Sequence, residues 1–442
     1  MLETGCYHLV GAAGTGMNAL AQALLATGCE VSASDRACDA GHPPSVVHIL
    51  AAAGVTWHLQ DGSGVTPDTR AVVVSTAIEA ANPDSAAAAR LGIPVRRRGE
   101  VLAALVNAGC CVAVAGTSGK STVTGMLGWI LEQAGRDPTV INGAPLLDWS
   151  GPDRVGNVRS GRSDLHVVEA DESDRSLLYL HPALAVITNI SGDHFPADEA
   201  CELFGAFAAQ VSGRVFGPCG EPCLPPDFAP VAESDGVAFD FRGVPVRVPL
   251  PGRHNAENAW CALIVAEALG VPAAVGAEAL GRFRGIARRL ERVGDGPVPV
   301  YDDFAHNPAK IRAAWTAVAP REGVMRAVWR PHGYGPLRVL FDELVATFAT
   351  LADAGDRVHI LPVYDAGGTA DRRIGSAAFV EAMRAAGVAA TLAPDYDAVC
   401  AAAAADSAPG CVWLVMGARD PDLPALARRL DERLRRPSTA VD

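Results

Sequence analysis

Short apolar runs alternate with segments of helical spacing along most of the chain. CYHLVGAAGTGM leads into NALAQALLATG, and CEVSASD, VVHILAAAG, AVVVSTAI, AAAARLG and IPVRR follow. Strand followed by helix, repeated, predicts a parallel sheet with crossover helices. The polar run RRRGEVLAALVNAG then introduces a second unit, which begins at CVAVAGTSGKST and extends to Arg292. Within it, LHVVEADESD and ALAVITNISGDH predict apolar strands that end in polar residues, at the edge where open α/β sheets place ligands. Between about residues 212 and 250 a Pro- and Gly-rich region with short alternating runs predicts a small antiparallel addition, and NAENAWCALIVAEALG has helical spacing. VPVYDDFA, RAVWRPHG, RVHILPVYDAG and CVWLVMGARD repeat the α/β rhythm to the end, where the tail RRPSTAVD is expected to fray. Three α/β domains are therefore expected, over residues 1–108, 109–292 and 293–442.

Composition narrows the class. With 49% hydrophobic and 20% charged residues in 442, the chain has the make-up of packed layers and not of disorder. A formal net charge of -13 argues against broad affinity for nucleic acid or anionic membrane, while local cations and helix N-termini leave anionic small molecules open as partners. The 11 cysteines are scattered, and Cys111, Cys261, Cys400 and Cys411 sit in apolar runs, as reduced thiols of a cytoplasmic protein do. Cys219 and Cys223 of CGEPC form a lone pair, which reads as a Pro/Gly loop before a metal site. The start MLETGCYHLVG has neither the basic region nor the long apolar run of a targeting segment, and no membrane span is expected.

Candidate chemistry gathers at predicted strand ends. In VAVAGTSGKST, Gly116 and Gly119 let backbone N–H groups face an anion, Lys120 reaches phosphate, and Ser121 offers a hydroxyl to Mg2+. A simple Gly-rich turn is the alternative. VVEADESD brings Glu169, Asp171, Glu172 and Asp174 to the end of an apolar strand, as a Mg2+ site or as a solvated acidic loop. ITNISGDH ends in Asp193 and His194 at the same kind of edge, so Ser121, Glu169 and His194 are expected to converge on one metal-phosphate site. Gly11, Gly14 and Gly16 of GAAGTGM, with Asp35 closing the next run, form a dinucleotide-like fingerprint that is weak alone. GRHNAENAW places His254, Asn255 and Asn258 before a helix, for capping or for adenine contact. YDDFAHNPAKI sets two aspartates and His306 at a strand end before a proline-started helix.

In this order the motifs HLVGAAGTGM, VAVAGTSGKST, VVEADESD, VITNISGDH, PGRHNAENA, GIARRLE, VYDDFAHNP and VMGARD resemble the Mur ligase superfamily, the ATP-dependent amide-forming enzymes of peptidoglycan assembly. The likeness spans nearly the whole chain. It implies a Rossmann-like N-terminal domain for a UDP-sugar, a central P-loop ATPase-type domain, and a mobile Rossmann-like C-terminal domain. A carboxylate, of a UDP-N-acetylmuramate-type substrate, is implied to take the γ-phosphate of ATP as an acyl phosphate, which an amino acid or peptide amine then captures.

By position, the resemblance implies Gly116, Thr117, Gly119, Lys120, Ser121 and Thr122 around the phosphates, Ser121, Glu169 and His194 at Mg2+, and Arg289 at the β/γ-phosphates. Asn255, Asn258 and Asp302 are implied at the nucleoside, and His306 beside the acyl phosphate and amine. Gly11, Gly14, Gly16, Asp35, Ser75 and Arg338 are implied to bind substrate. Departures cluster on the acceptor side. The alanine-adding members carry arginines where this chain has Gly333 and Pro336; Phe304 replaces a tyrosine, Asn307 a histidine, and FPADE an acidic-aromatic run. The expectation is a ligase whose amine is not ordinary L-alanine, or not held in the ordinary way. A non-ligating ATP-binding regulatory or partner protein is the rival.

Overall fold

The computed structural model describes residues 2–41, 43–79, 81–192, 195–320, 322–365, 371–406 and 410–435. The chain forms two compact units, one of Met1–Val231, Val237–Pro249 and Asn255–Ile286, the other of Ala232–Gly236, Leu250–His254 and Ala287–Asp442.

The first unit holds two parallel sheets. Strands β1 (Cys6–Val10), β2 (Glu30–Ser34), β3 (Thr56–His58), β4 (Thr69–Val74) and β5 (Val95–Arg97) order as β3-β2-β1-β4-β5, all parallel. The order reverses at β1, the kind of switch point at which open α/β sheets bind ligands. The second sheet consists of β6 (Cys110–Ala115), β7 (Thr139–Ile141), β8 (Val158–Arg159), β9 (Leu165–Glu169), β10 (Leu184–Ile187) and β11 (Val215–Phe216), ordered β11-β10-β6-β9-β7-β8. Only β8 runs antiparallel to its neighbour. β6 is central and buried on both faces, which is why CCVAVA is apolar without alternation.

One apolar core serves both sheets: Leu20, Leu24 and Val106 belong to the same cluster as Ala113, Ile187, Phe204 and Phe207. Each of the two phenylalanines, fully buried, stabilises the unit by about 2–3 kcal/mol. A polar relay crosses the same region. The Nε2 of Gln22 donates to Asn157 Oδ1 at 2.9 Å, and the Nδ2 of Asn157 donates to Asn18 Oδ1 at 2.7 Å. The expected antiparallel addition is the hairpin Val237–Phe241 with Val244–Val248, whose Phe239 and Phe241 pack on Trp260.

The second unit is built on one sheet, ordered Glu291–Arg292, Val300–Asp303, Val412–Met416, Met325–Trp329, Arg357–Ile360, Ala390–Leu392. The short first strand is antiparallel and the rest are parallel. Asp303 and Trp329 both register against Met416, so the segments after those three strands emerge side by side. Among the described residues no helix is long and apolar enough to cross a membrane.

Candidate functional site

Where β6 ends, the chain turns at two left-handed glycines, Gly116 (φ +126°) and Gly119 (φ +85°). A side chain at either position would have to displace a neighbour. A Cβ on Gly116 would lie 2.1 Å from Thr188 Oγ1, and one on Gly119 2.5 Å from Asn258 Oδ1. The loop is laced to the segment after β10: Thr117 N donates to Asn189 O (3.0 Å), Ser118 N to Asn189 Oδ1 (3.0 Å), Thr188 Oγ1 to Ser118 O (2.6 Å), and Ser191 N to Thr117 Oγ1 (3.0 Å). Helix Lys120–Gln133 starts at once, without a side-chain cap. Its first-turn N–H groups therefore have no intrahelical acceptor and present the positive helix end to the loop mouth. Ser121 and Thr122, in that turn, are buried.

Lys120 lies across this mouth. Its Nζ donates to Gly116 O at 2.9 Å and to Glu172 Oε2 at 2.7 Å. Glu172 is buried, and its Oε1 has no hydrogen-bond partner. Desolvation pushes the Glu172 carboxyl above the usual carboxylate range, against the pull of Lys120.

Glu169, the last residue of β9, accepts from Gly143 N at 2.7 Å. The side chain of Asn142 accepts from the same N–H at 3.0 Å and donates to Ser121 O at 3.1 Å, so Asn142 and Gly143 connect the start of the phosphate-loop helix to Glu169. The four carboxylates of VVEADESD take separate partners: Glu169 goes to Gly143, Glu172 to Lys120, Asp171 to Ser173, and Asp174 to Arg98 and Ser176. Among the described residues no group of three or more His, Cys, Asp and Glu forms a ready-made cation cage. Asp193 and His194 lie outside the described residues.

The expectation that Asn255 and Asn258 precede a helix is corrected. Helix Arg253–Ala268 begins before them, so both sit inside its first turns and neither is a cap. Helical periodicity returns Asn258 toward the phosphate loop, where its carboxamide faces Gly119 and hydrogen-bonds to no described residue.

Gly11 (φ +75°), Asp35 and Ser75 follow β1, β2 and β4 at one edge of the first sheet. Gly14 is the uncapped N-terminus of helix Thr15–Ala26, and Gly16 lies within its first turn. Asp35 accepts from Ala13 N and Ala37 N, both at 3.0 Å, which braces the glycine loop and caps the next helix. Arg98 sits over this loop, with Nη1 3.2 Å from where a Gly16 Cβ would be.

In the second unit, Asp302 is fully buried. Its nearest cation is Arg288 at 3.4 Å, and neither carboxylate oxygen accepts a hydrogen bond. Desolvation pushes Asp302 up to about 7. Arg288 and Arg289 both lie over the Phe304 ring, at 5.1 and 5.3 Å. His306 Nδ1 donates to Phe304 O at 2.8 Å, which puts the lone pair of the neutral ring on Nε2, and its ring meets that of His332 edge-on at 4.8 Å. Asn307 caps helix Pro308–Val318. Arg338 pairs with Asp371 at 3.5 Å, in the short helix Tyr334–Val339 that contains Pro336 and is entered through Gly333.

The pairing of Glu172 with Lys120 was not readable from the motif, and Asn142 and Gly143 escaped it altogether. The dipeptide Asn142–Gly143 after an apolar run was the available signal for the last two.

Comparison with known proteins agrees in chain order. Residues 6–109 match the Mur ligase family catalytic domain, 114–198 the Mur ligase middle domain, and 288–419 the Mur ligase glutamate ligase domain. The UDP-N-acetylmuramate–L-alanine ligase of Gluconobacter oxydans (strain 621H) is 35% identical over 425 residues, covering 87% of this chain and 86% of that one. The crystal structure of the UDP-N-acetylmuramate–alanine ligase of Thermotoga maritima superposes with a TM-score of 0.80 at 22% identity, over 97% of this chain and 99% of that one. A murein peptide ligase of Psychrobacter arcticus 273-4 gives 0.65 at 22% identity, over 99% and 100%. At these identities the likeness to the two structures is one of fold.

Proposed function

Because this chain belongs to the Mur ligase family, we propose that it is an ATP-dependent ligase joining the carboxylate of a UDP-N-acetylmuramate-type acid to the amine of an amino acid or peptide, with release of ADP and phosphate. The observation that carries this reading is Lys120, fixed by Gly116 O and Glu172 across a loop turned by two left-handed glycines.

The reaction needs charge neutralisation more than covalent help. A carboxylate oxygen attacks the γ-phosphorus and ADP leaves; the amine nitrogen then attacks the acyl carbon, and phosphate leaves with the electron pair of the C–O bond. Loop N–H groups and Lys120 take the phosphoryl charge. Asn258, beside Gly119, and Asn255 are assigned to the nucleoside of ATP, as is Asp302; Arg289 is assigned to the β/γ-phosphates. His306 is assigned to the amine, with Nε2 to orient it or take its proton. The loops after β1, β2 and β4, with Gly11, Gly14, Gly16, Asp35 and Ser75, are assigned to the UDP-sugar, and Arg338 to the substrate carboxylates.

The donors near Lys120 suit Mg2+, which is held by one or two carboxylates together with substrate phosphates and waters. Ser121 and Glu169 would hold it, and the absence of a Cβ at Gly143 leaves space beside the Glu169 carboxylate. Bound there, Mg2+ neutralises phosphate charge. His194 joins this assignment by motif. Eleven unpaired cysteines support a cytoplasmic setting.

The replacements at Gly333 and Pro336 favour a second reading, that the acceptor is not L-alanine bound in the ordinary way. Phosphate release by the purified protein with Mg-ATP, UDP-N-acetylmuramate and a panel of amino acids and short peptides, products read by mass, tests both. Release dependent on an amine, and lost in Lys120→Ala, supports the ligase; ATP binding without release under any condition supports the non-ligating rival. Rapid turnover of L-alanine would sink the second reading.

A further inference from the structure

The turn after strand Val412–Met416 holds Arg419 in the left-handed region, at φ +62°. That conformation disfavours any side chain beyond glycine, asparagine and aspartate, and persists only where the surroundings impose it. Here they do. Arg288 donates to Gly417 O at 2.5 Å and to Asp420 O at 3.5 Å, Gly417 N donates to Asp303 O at 3.2 Å, and Asp420 N donates to Ala418 O at 2.7 Å. The buried Asp420 carboxylate accepts from Arg330 and from the Tyr396 hydroxyl, and from Asp422 N at 3.0 Å.

A residue pinned on both sides in this way has its side chain aimed by its backbone. Arg419 is exposed, and its guanidinium pairs with no described residue, whereas its neighbour Arg330 is taken by Asp420. Arg419 Nη1 lies 3.8 Å from where a Cβ on Gly333 would be, and Gly333 (φ +152°) follows His332, whose ring meets His306. Register explains the meeting: strands ending at Asp303, Met416 and Trp329 are adjacent and parallel, so His306, Arg419 and Gly333 leave the same sheet edge.

We infer that the Arg419 guanidinium binds the carboxylate of the incoming amine substrate, delivering from residue 419 a charge that residue 333 has no side chain to supply. The inference rests on the ligase reading above. An amino acid or peptide acceptor carries an anionic carboxylate a few ångströms from its amine, and a planar guanidinium holds a carboxylate through two parallel hydrogen bonds. Glycine at 333 leaves the space that such a group needs. The carboxylate of the UDP-linked acid is the other possible source, and the test separates the two.

With the full-length protein at saturating Mg-ATP and UDP-N-acetylmuramate, phosphate release is measured for the best acceptor of the panel and for its carboxamide. The wild type should prefer the acid by about tenfold or more in kcat/KM. Arg419→Gly, in which glycine accepts φ +62° without strain, should lower kcat/KM for the acid by about ten- to a hundredfold and erase the preference over the carboxamide, leaving KM for ATP in place. Arg419→Gln, a second variant, should behave alike. A variant that keeps the preference, or a loss that falls on KM for UDP-N-acetylmuramate, overturns the inference while the ligase reading stands. If no amine elicits release from the wild type, the ligase reading falls first and this inference with it.

Discussion

Lys120 and Glu172, 52 residues apart, share a 2.7 Å hydrogen bond at the mouth of the phosphate loop, and the carboxylate is the more buried partner. A phosphate entering the loop has to compete with Glu172 for the same ammonium. Lys120→Ala should abolish ADP release, and it should also cost about 2–3 kcal/mol of stability, because it strands a buried carboxylate. Lys120→Ala combined with Glu172→Gln should recover most of that stability and none of the activity. Denaturant unfolding alongside a phosphate-release assay separates the two effects; full stability in the single variant would show that the pair contributes nothing to folding.

The two glycines of the loop should fail for different reasons. Gly116→Ala drives a methyl into Thr188 Oγ1, next to backbone that has no slack, and is expected to destabilise the first unit by about 2–4 kcal/mol. Gly119→Ala meets the far end of the Asn258 side chain, which can turn away. Its expected signature is a rise of about tenfold in KM for ATP, with a smaller loss of stability. Melting temperature and ATP titration of the two variants check this contrast.

Gly143→Ala offers a test of the Mg2+ assignment in which no assigned ligand is itself substituted. A Cβ there would fall 2.6 Å from Glu169 Oε2, so the carboxylate must swing aside. The Mg2+ concentration for half-maximal activity should rise about tenfold, while ATP-independent stability stays within about 1 kcal/mol. An unchanged Mg2+ requirement would remove Glu169 from the metal site.

Asp302 gives a pH signature. Its carboxyl titrates near 4 in the unfolded chain and about 7 in the folded one, so the folded state favours the protonated form. The Asp302 contribution to stability is therefore greatest below the unfolded value and is lost as pH rises from about 4 to about 7, where folding must bury the charge. Asp302→Asn removes the titration. Whatever offset the substitution introduces at pH 4, the variant should gain on the wild type by about 4 kcal/mol on going to pH 8. Parallel unfolding curves at the two pH values give the difference, and a constant offset would refute it.

The parts legible in the sequence were those whose requirement is local. Apolar runs alternating with helical spacing announced the parallel sheets, because a strand covered on both faces has to be apolar throughout. Gly116 and Gly119 could be read because a tight turn into a helix needs them. The pairing of Lys120 with Glu172 could not, since VVEADESD offers four carboxylates and only the path of the chain after β9 decides which one reaches the lysine. Asn255 and Asn258 misled because a helix may start before its apolar stripe does; this one opens at Arg253. Arg419 was silent: nothing in GARD reveals a left-handed backbone, which neighbouring segments impose from outside.

The relay of Gln22, Asn157 and Asn18 bears on how the gene can be divided. An expression boundary placed after residue 109 falls in a loop and looks harmless. Yet it would strip the Asn157 amide of its partners Thr15, Asn18 and Gln22 and lay bare the apolar face that Leu20 and Leu24 cover, so the piece that follows should precipitate. Nucleotide binding is best sought in fragments that keep the first two sheets on one polypeptide.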